Sequence, residues 1–340
     1  MYLFDQKRNG KEIRDARYNY AISNYISNEL KLDEAIMRFY INQPAVIIGK
    51  HQNAFAEVDL NYLEQEQIQL VRRSSGGGSV YHDQGTLIYG FTGEDDKSSY
   101  QDFSSFTQPI IRALQRLGVE DAEFGGRNDL LINGKKFSGT SKLVSGGKVV
   151  VGGTLLLDVD YETLEQVLTP NKKKLAAKGV KSVQSRVTAL RPHLAKKHQD
   201  ITIEEFRQLL IQELFGVKRL EDVKIYFFSQ EDWQRIDEIV QDRFGNWDWN
   251  FGRLGKMDYQ RDQRFSFGTV EFQVAAEHGK IHDCRIYGDF FAPGNLADIE
   301  QALLQTPLRS EDLLAVFAQF DLSYYFGEVT AEELVSVILS

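Results

Sequence analysis

The sequence predicts a chain of the α/β (α+β) class, with a large domain whose mostly antiparallel sheet is flanked by helices and a small α+β domain at the C-terminus. Short strand-like runs are joined by turn-sized connections at Asn133-Gly134 and Gly146-Gly147, which are hairpin signals. Helical patterns at residues 17–39 and 108–117 interrupt those runs. The sequence pattern changes after residue 245, so a second unit is expected.

The first expected element is a helix over residues 17–39, where Tyr18, Ile22, Ile26 and Leu30 recur at helical spacing. Short apolar runs then predict the strands of the large sheet. A second helix at 108–117 presents apolar residues on one face, and Gly118 is a helix stop signal. The predicted strands lie at 45–48, 69–72, 87–91, 129–132 and 149–157.

The C-terminal third predicts a separate unit. An aromatic, irregular stretch begins at residue 246 and is interpreted as a linker. Beyond it, apolar residues alternate with polar ones at 270–274, and a second strand is expected at 280–287 after a turn at 277–279. Helices at 296–304 and 331–339 complete the unit. The predicted division is a catalytic domain at 1–245, a linker at 246–262 and an accessory domain at 263–340.

Composition is that of an ordinary globular protein. The chain has 340 residues, of which 42% are hydrophobic and 26% are charged. A lone cysteine, Cys284, excludes an intramolecular disulfide framework and is compatible with a reducing compartment. No signal peptide or membrane-spanning run is recognisable, so a cytoplasmic location without membrane attachment is expected. The net charge of −9 argues against a nucleic-acid partner.

A glycine-rich turn at residues 71–83 carries the strongest functional signal. Arg72 and Arg73 precede three consecutive glycines, 76–78. Glycines let successive backbone N–H groups approach one anion, and arginines add forked positive charge. The alternative is a flexible hairpin beside a solvated arginine pair. The turn lacks the Lys-Ser/Thr ending of a P-loop and does not lie between a strand and a crossover helix, as a dinucleotide-binding loop would.

A second positively charged region lies further along the chain. Its charges could close over a nucleotide, or meet an acidic protein, or remain a solvated loop. Together with the glycine-rich turn, the region favours one anionic ligand contacted from two places. The region comprises Lys172, Lys173, Lys174, Lys178, Lys181, Arg186 and Arg191.

Four blocks of sequence together resemble the lipoate–protein ligases. They are RRxxGGGxVxHD at 72–83, GRND at 126–129, a lysine before a Ser-Gly turn at 136–139, and KKKLAAKG at 172–179. The end of the strand at 48–53 matches the family's IGxxQN pattern. The resemblance implies the biotin/lipoate ligase fold, which is related to class II aminoacyl-tRNA synthetases. It also implies activation of lipoate by ATP, with Mg²⁺, to lipoyl-AMP, followed by transfer of the lipoyl group to a lysine.

The resemblance also implies roles for individual residues. Lys136 is the expected catalytic residue, because a cation between the lipoate carboxylate and the α-phosphate removes their repulsion; the alternative is a solvated turn lysine. ATP is expected to contact Arg73, Gly78, Ser79, Val80, Tyr81, Lys136 and Lys178. Lipoate is expected to contact Lys136, Arg72, His82 and Ser138, although His82 could be structural. Lys172, Lys173, Lys174, Gly179 and Ser182 are expected to form a loop over the adenylate.

Two further sets of residues are assigned by chemistry. Asn128 and Asp129 are expected ligands of Mg²⁺, which prefers oxygen donors; Asp129 could instead hold Arg127 in place. Apolar strand residues are expected to form the walls of a lipoate slot, with His51 near its mouth, although core packing explains such residues equally well. The expected wall residues are Val46, Ile48, Leu87, Tyr89 and Leu155.

The partners implied by the resemblance are apo lipoyl domains of 2-oxoacid dehydrogenase complexes, the H protein of glycine cleavage, or both. Three other interpretations were weighed. An acyltransferase that uses a cysteine thioester needs an activated nucleophile, and Cys284 is far in sequence from every motif. A biotin ligase would carry GRGRRG, which is absent. A protein that only binds lipoate or lipoyl-AMP would not need Lys136.

Overall fold

The computed structural model describes residues 1–95, 103–168, 185–252 and 257–339. The predicted adenylate loop therefore lies outside the described residues. The roles assigned to Lys172, Lys173, Lys174, Lys178, Gly179 and Ser182 stay predictions.

Strands and helices alternate along the described chain. The strands are β1 (Tyr2–Phe4), β2 (Lys7–Arg8), β3 (Lys11–Glu12), β4 (Ile36–Tyr40), β5 (Ala45–Ile48), β6 (Gln69–Arg72), β7 (Val80–His82), β8 (Thr86–Glu94), β9 (Ala122–Phe124), β10 (Asp129–Ile132), β11 (Lys135–Ser145), β12 (Lys148–Leu156), β13 (Ile225–Tyr226), β14 (Tyr259–Phe265), β15 (Gly268–Glu277) and β16 (Lys280–Gly288). The helices are α1 (Ala16–Asn28), α2 (Ala54–Glu57), α3 (Leu60–Gln65), α4 (Ser104–Arg116), α5 (Tyr161–Val167), α6 (Ile203–Phe215), α7 (Gln230–Ile239), α8 (Trp247–Phe251), α9 (Leu296–Leu303), α10 (Ser310–Phe317), α11 (Leu322–Tyr325) and α12 (Ala331–Leu339).

The main sheet is mostly antiparallel, which confirms the predicted fold class. Within the described residues it has eight strands in the order β13-β1-β4-β8-β12-β11-β10-β9. The two pairs made by β1 are parallel, and the pairs from β4 to β9 are antiparallel. The hairpins at Asn133-Gly134 and Gly146-Gly147 are confirmed, with positive φ at Asn133 and at all three glycines. Two positive φ values in a two-residue loop match the twist of the flanking strands.

The predicted helix at residues 17–39 is wrong in its second half. Helix α1 ends at Asn28, and β4, from Ile36 to Tyr40, is a strand whose five residues are all buried. A central strand covered on both faces has no alternation of polar and apolar residues. Its short apolar run therefore looks the same as a continuing helix face in sequence.

Helices cover both faces of the main sheet. On one face, α4 and α6 pack on a core that includes Phe39, Leu87 and Leu155. On the other face, α1 and α7 contribute to a second core, together with Ile47 and Val71 of a small sheet. That small sheet has the order β6-β5-β7 in the described chain. The cavity described below lies on this second face.

The C-terminal residues form a core of their own. Strands β14, β15 and β16 make an antiparallel sheet, and α9, α10 and α12 pack on it around Phe272 and Phe317. The helix α8 and the start of β14 fall within the span predicted as a linker, and the boundaries at 245 and 262 stay predictions. Among the described residues, no helix is long and apolar enough to cross a membrane.

Candidate active site

The floor of a cavity of about 340 Å³ is formed by one face of the main sheet. Residues paired across antiparallel strands point to the same face, as do residues two apart along a strand. The pairings of β4, β8, β12 and β11 therefore set up three parallel rows across the sheet. In order, they are Tyr40-Ile88-Thr154, Arg38-Gly90-Gly152-Ser141 and Ile36-Thr92-Val150-Leu143, and every member except Ile36 lines the cavity.

Two glycines make the floor low at its centre. A Cβ added at Gly90 or Gly152 would meet its nearest atoms at 3.8 and 3.7 Å, which are ordinary contacts. Neither position has a positive φ, so the backbone does not require glycine at either of them. What the missing side chains provide is space above the sheet. Glycine inside a strand is the sequence signal for close approach by another group, and this signal was not used in predicting the site.

The roof of the cavity comes from α1 and from the segment between β6 and β7. Helix α1 contributes a polar face, with Tyr20, Ser23, Asn24 and Ser27. The glycine-rich turn contributes Arg73, Ser74, Ser75, Gly78, Ser79, Val80 and His82. The predicted site residues Arg73, Gly78, Ser79, Val80 and His82 thus lie together on one wall.

Arg72 lies outside the cavity lining, in contrast to its expected contact with lipoate. Its guanidinium is buried and donates to main-chain carbonyls of two loops, at Gly49, Lys50 and Gln52 on one side and at Trp249 and Asn250 on the other. Its alternating position on β6 explains this, because neighbouring residues of a strand point to opposite faces. The geometry makes Arg72 a support of the loop after β5.

Arg73 lines the cavity, but its donors also hold main-chain atoms. Nε and Nη2 donate to the carbonyl oxygen of Gly76 at 3.1 and 2.7 Å, and Nη2 also donates to that of Gly78 at 2.8 Å. Burial lowers the pKa of its guanidinium to about 10. Arg73 therefore shapes the glycine-rich turn and places a buried cation beneath it.

The three glycines of the turn differ in why the structure accommodates only a glycine or leaves room for a side chain. A Cβ at Gly76 would lie 2.1 Å from the carbonyl oxygen of Phe290, and one at Gly77, whose φ is +92°, would lie 2.5 Å from the ring of Phe291. Only Gly78 has open space where a Cβ would be, with no atom within 4 Å. Two of the three glycines are thus required by contact with the C-terminal unit, and one is left beside the cavity.

The C-terminal unit closes one side of the cavity. Arg264, Asp289 and Phe291 belong to the lining. Arg127 of the GRND block donates to the carbonyl oxygens of Phe267 and Asp289, and its guanidinium lies 5.5 Å from the ring centre of Phe291. The roles of Arg264, Asp289 and Phe291 were not predicted from the sequence, because no local pattern reports a contact between residues so far apart along the chain.

Lys136 lies at the edge of the floor. Its Nζ is 2.7 Å from Oδ1 of Asp129, and its side chain is 33% exposed. A Cβ at Gly139 would be only 2.9 Å from this Nζ, so the glycine gives the lysine room to lie across the strand. The main chain of Lys136 is also held, because its N–H donates to Arg186 and its carbonyl accepts from Thr188. Lys135 beside it is exposed.

Asn128 and Asp129 lie at the same edge and line the cavity. The amide nitrogen of Asn128 donates to the carbonyl of Thr140 at 2.8 Å, which directs its side-chain oxygen away from that bond. Asp129 pairs with Lys136 rather than with Arg127. Among the described residues, no group of three or more His, Cys, Asp or Glu side chains is placed to hold a metal ion.

His82 is buried and neutral. Burial, with the nearby charge of Arg73, lowers its pKa to about 3. Its Nδ1 lies 2.9 Å from the side-chain nitrogen of Asn42, while no partner for its Nε2 is found within the described chain. The ring lines the cavity, so a buried donor or acceptor is left for a ligand.

Two other predicted contacts lie outside the lining of this cavity. Ser138 is fully buried in β11, one residue before the cavity-lining Gly139. Tyr81 points to the opposite side of β7 and packs on a small core with Val46 and Ile48. Their contacts with lipoate and ATP stay predictions.

The expected slot walls are mostly wrong, and the error is one of register. Leu87 and Leu155 point to the other face of the sheet and pack on its core, while the cavity side carries the adjacent Ile88 and Thr154. Val46 and Ile48 lie in the separate small core, so only Tyr89 of the expected walls lines the cavity. A shift of one residue exchanges the two faces of a strand. His51 is buried and stacks on Phe290 at 5.1 Å.

Two family models match the chain. The Lipoyl protein ligase A/B catalytic domain matches residues 15–215, and the Bacterial lipoate protein ligase C-terminus matches residues 255–338. A curated relative, lipoate–protein ligase 2 of Staphylococcus aureus, is 45% identical over 340 residues, which are 100% of both chains. The chain belongs to the lipoate–protein ligase family.

Solved structures agree with this assignment. P. falciparum LipL1, in complex with lipoate, has a TM-score of 0.77 at 22% identity and is matched over 100% of this chain and 99% of its own, which shows the shared fold. A bipartite lipoate protein ligase of Thermoplasma acidophilum, described with its E2 lipoyl domain, has a TM-score of 0.63 at 28% identity, covering 76% and 98%. Lipoate-protein ligase A bound with ATP has a TM-score of 0.58 at 25% identity, covering 74% and 99%.

The burial of Cys284 argues against the acyltransferase alternative. Cys284 is fully buried in β16, and burial raises the pKa of its thiol. A thioester mechanism needs an accessible thiolate. Cys284 lies outside the cavity lining, so the cysteine cannot serve as a nucleophile there.

Proposed function

We propose that this ligase activates lipoate with ATP to lipoyl-AMP in the described cavity and then transfers the lipoyl group to a lysine of an acceptor lipoyl domain. The observation that carries the proposal is Lys136 at the edge of a cavity that is open above two strand glycines. The cavity offers a slot beside the sheet, and both the lysine and the glycine-rich turn line it. The reaction itself is inferred from membership of the lipoate–protein ligase family.

Lys136 is proposed to bridge the two reacting anions. A carboxylate that attacks the α-phosphate of ATP brings like charges together, and a fixed cation stabilises the charge that develops. Asp129 balances the charge of Lys136 at 2.7 Å. Lipoate and phosphate oxygens would take over that contact. The held main chain of Lys136 limits how far the ammonium has to move.

The glycine-rich turn is proposed to hold the nucleotide. Its wall carries Gly78, Ser79 and Val80, with the buried cation of Arg73 underneath. Gly78 has open space where a side chain would be. The backbone of this wall can therefore approach phosphate oxygens closely.

The donor set at Asn128 and Asp129 fits Mg²⁺ that is held mainly by ATP. Magnesium in nucleotide sites takes one or two carboxylates and obtains its other ligands from phosphate and water. The side-chain oxygen of Asn128 and the carboxylate of Asp129 would supply protein ligands. When bound, the ion neutralises phosphate charge.

The predicted adenylate loop is proposed to cover lipoyl-AMP and to exclude water. Support comes from the described residues at its two ends. Leu168 pairs with Val58 beyond β5, and Val187 pairs with Lys136. Val187, which follows the loop, thus lies beside Lys136 at the edge of the cavity.

The proposed acceptors are lipoyl domains of 2-oxoacid dehydrogenase complexes, the H protein of glycine cleavage, or both. The Thermoplasma acidophilum relative is described with an E2 lipoyl domain, which favours the first class. We place the reaction in the cytoplasm.

The decisive experiment is the intact mass of each apo acceptor after incubation with the protein, lipoate and Mg²⁺, with and without ATP. A lipoyl mass increase that requires ATP is expected. Lys136→Ala should lower the rate roughly 100-fold or more, as loss of a charge-stabilising group does. Lys135→Ala is the matched control and should keep the rate of the parent.

The alternative is a protein that binds lipoate or lipoyl-AMP without completing both steps. Detection of lipoyl-AMP with no acceptor modified would favour this alternative. If neither product forms, the ligase function is refuted for these substrates. Full activity of Lys136→Ala would refute the proposed role of the lysine.

A further inference from the structure

Buried polar side chains form a continuous chain from β4 to the cavity. The chain joins Arg38, Asn19, Asn42 and His82, which lie on β4, α1, the residue run after β4, and β7. All four are at most 2% exposed. Buried polar groups are costly unless their hydrogen bonds are made, so the direction of each bond in this chain is constrained by its neighbours.

Arg38 fixes the orientation of Asn19. Arginine only donates hydrogen bonds, and Nη2 of Arg38 lies 3.1 Å from the side-chain oxygen of Asn19. The side-chain nitrogen of Asn19 contacts the carbonyl of Ile13 at 3.3 Å, and a carbonyl only accepts. Both contacts require the same orientation of the Asn19 amide. The contacts with Arg38 and with the carbonyl of Ile13 thus fix the orientation of the Asn19 amide independently.

The orientation then passes to Asn42. The nitrogen of Asn19 is 2.8 Å from the side-chain oxygen of Asn42, so Asn42 must present its oxygen there. The amide nitrogen of Asn42 is left facing Nδ1 of His82 at 2.9 Å. Because that nitrogen can only donate, Nδ1 must accept and cannot carry a proton.

A neutral imidazole carries one proton, so it must lie on Nε2. The Nε2–H group has no acceptor within the described chain, and the ring lines the cavity. A buried donor without a partner costs free energy. That cost is removed when a ligand supplies an acceptor.

We propose that this relay, anchored at Arg38 and at the carbonyl of Ile13 and passing through Asn19 and Asn42, holds His82 with its proton on Nε2, where it donates a hydrogen bond to an oxygen of the acyl ligand. The inference rests on the proposed function for the identity of that ligand. The oxygen belongs to the lipoate carboxylate or, after activation, to the carbonyl of lipoyl-AMP. Asn42 is a positioning residue, since it acts on the ligand only through His82.

The protonation of His82 can be measured without any ligand. Nitrogen NMR of the full chain labelled at its 6 histidines distinguishes a protonated from an unprotonated ring nitrogen, and His82→Gln identifies the signals of His82. We expect a proton on Nε2 and none on Nδ1 between pH 6 and 8. A proton on Nδ1, or on both nitrogens, overturns the relay.

Asn42→Asp reverses the final bond. A carboxylate only accepts, so it can still receive Asn19 but demands a proton on Nδ1 of His82. The expected results are a proton on Nδ1 and a lipoate Kd raised roughly tenfold, the worth of one hydrogen bond. Asn28→Asp, an exposed substitution of the same chemistry at the end of α1, is the matched control and should leave both unchanged.

A second pair of variants tests the donor role of His82 independently, in case Asn42→Asp does not fold. The amide nitrogen of Gln in His82→Gln reaches about as far as Nε2, whereas His82→Asn reaches only as far as Nδ1. We expect lipoate to bind His82→Gln more tightly than His82→Asn, by roughly tenfold. Equal Kd values overturn the donor role. If the parent protein does not bind lipoate at all, the proposed function fails, while the NMR result still decides the relay.

Discussion

Single glycines decide how much room the cavity offers. Gly90 and Gly152 lie next to each other on β8 and β12, and a Cβ at either would make only ordinary contacts with its neighbours. Their sequence signal, glycine within a strand, was present, but assigning them to a slot required the register of four strands. The register is set by long-range pairing and could not be derived from any one strand.

Substitution of Gly152 tests the slot. The series Gly152→Ala, Gly152→Val and Gly152→Leu should fold with unchanged stability, because strands favour the larger residues and the space is open. The affinity for lipoate should fall step by step with side-chain volume, by roughly tenfold or more at Leu as the tail is displaced. Calorimetric titration measures the affinity. An unchanged Kd for Gly152→Leu would place the lipoate tail elsewhere.

His51 makes stability depend on pH. Burial, with the charges of Lys50 and Arg72, lowers its pKa to about 3, so the folded protein keeps it neutral while the unfolded chain protonates it below about 6.5. The unfolded state then binds more protons, and the free energy of unfolding falls as the pH drops from 6.5 toward 3. Above 6.5 this contribution is constant.

The matching variant is His51→Phe, which keeps a ring against Phe290 and removes the titration. Between pH 7.5 and 5.5 the parent should lose about 1.4 kcal/mol more unfolding free energy than the variant, the effect of one group shifted by this pKa difference. Urea unfolding at the two pH values measures it. His278→Asn, at a position that is 90% exposed, should behave as the parent. An identical pH response of His51→Phe would show that His51 is protonated normally in the fold.

At the scale of elements, the glycine-rich turn serves two purposes. The sequence predicted a glycine-rich anion site, with a flexible hairpin as the alternative, whereas Gly76 and Gly77 make room for Phe290 and Phe291. The hairpins, the helix α4 and the C-terminal strands were predictable because local pattern determines them. Local pattern did not predict strand β4, the face of the sheet that forms the slot, or the role of Arg72. Each of these depends on which other elements pack against the residues concerned.

Substitutions of the neighbouring Gly77 and Gly78 test these two purposes separately. Gly77→Ala should cost about 2 kcal/mol, because a Cβ meets the Phe291 ring at 2.5 Å and φ is +92°. Gly78→Ala has open space and should leave the stability within about 0.5 kcal/mol, while ATP binding weakens. Thermal unfolding and ATP titration report the two effects. Equal loss of stability in both variants would contradict the distinction.

At the scale of the whole molecule, the cavity belongs to both parts of the chain. Polar contacts join them near the site, and one runs from Lys50 Nζ to the carbonyl of Gly294 at 3.0 Å. Arg127 donates across the same junction to the carbonyls of Phe267 and Asp289. Main-chain bonds also cross it, from Gly77 to Phe290 and from Gly288 to His51.

Weakening the junction should separate the two cores thermally. The double variant Lys50→Met with Arg127→Met removes the side-chain hydrogen bonds that these two residues make across the junction, so calorimetry should show two resolved transitions where the parent shows one. Arg219→Met, which removes an exposed ion pair far along the chain, is the control and should keep a single transition. One transition in the double variant would mean that the main-chain contacts suffice to couple the cores.

Because both parts of the chain line the cavity, its lining is completed late in the synthesis of the protein. Synthesis proceeds from the N-terminus, and the main sheet, whose last strand along the chain is β13, is complete once residue 226 has been made. Arg264, Asp289 and Phe291, which close the cavity, are added only afterwards. A nascent chain that has already folded its large sheet therefore still has an open site. The order of translation therefore delays closure of the cavity until residues 264–291 have left the ribosome.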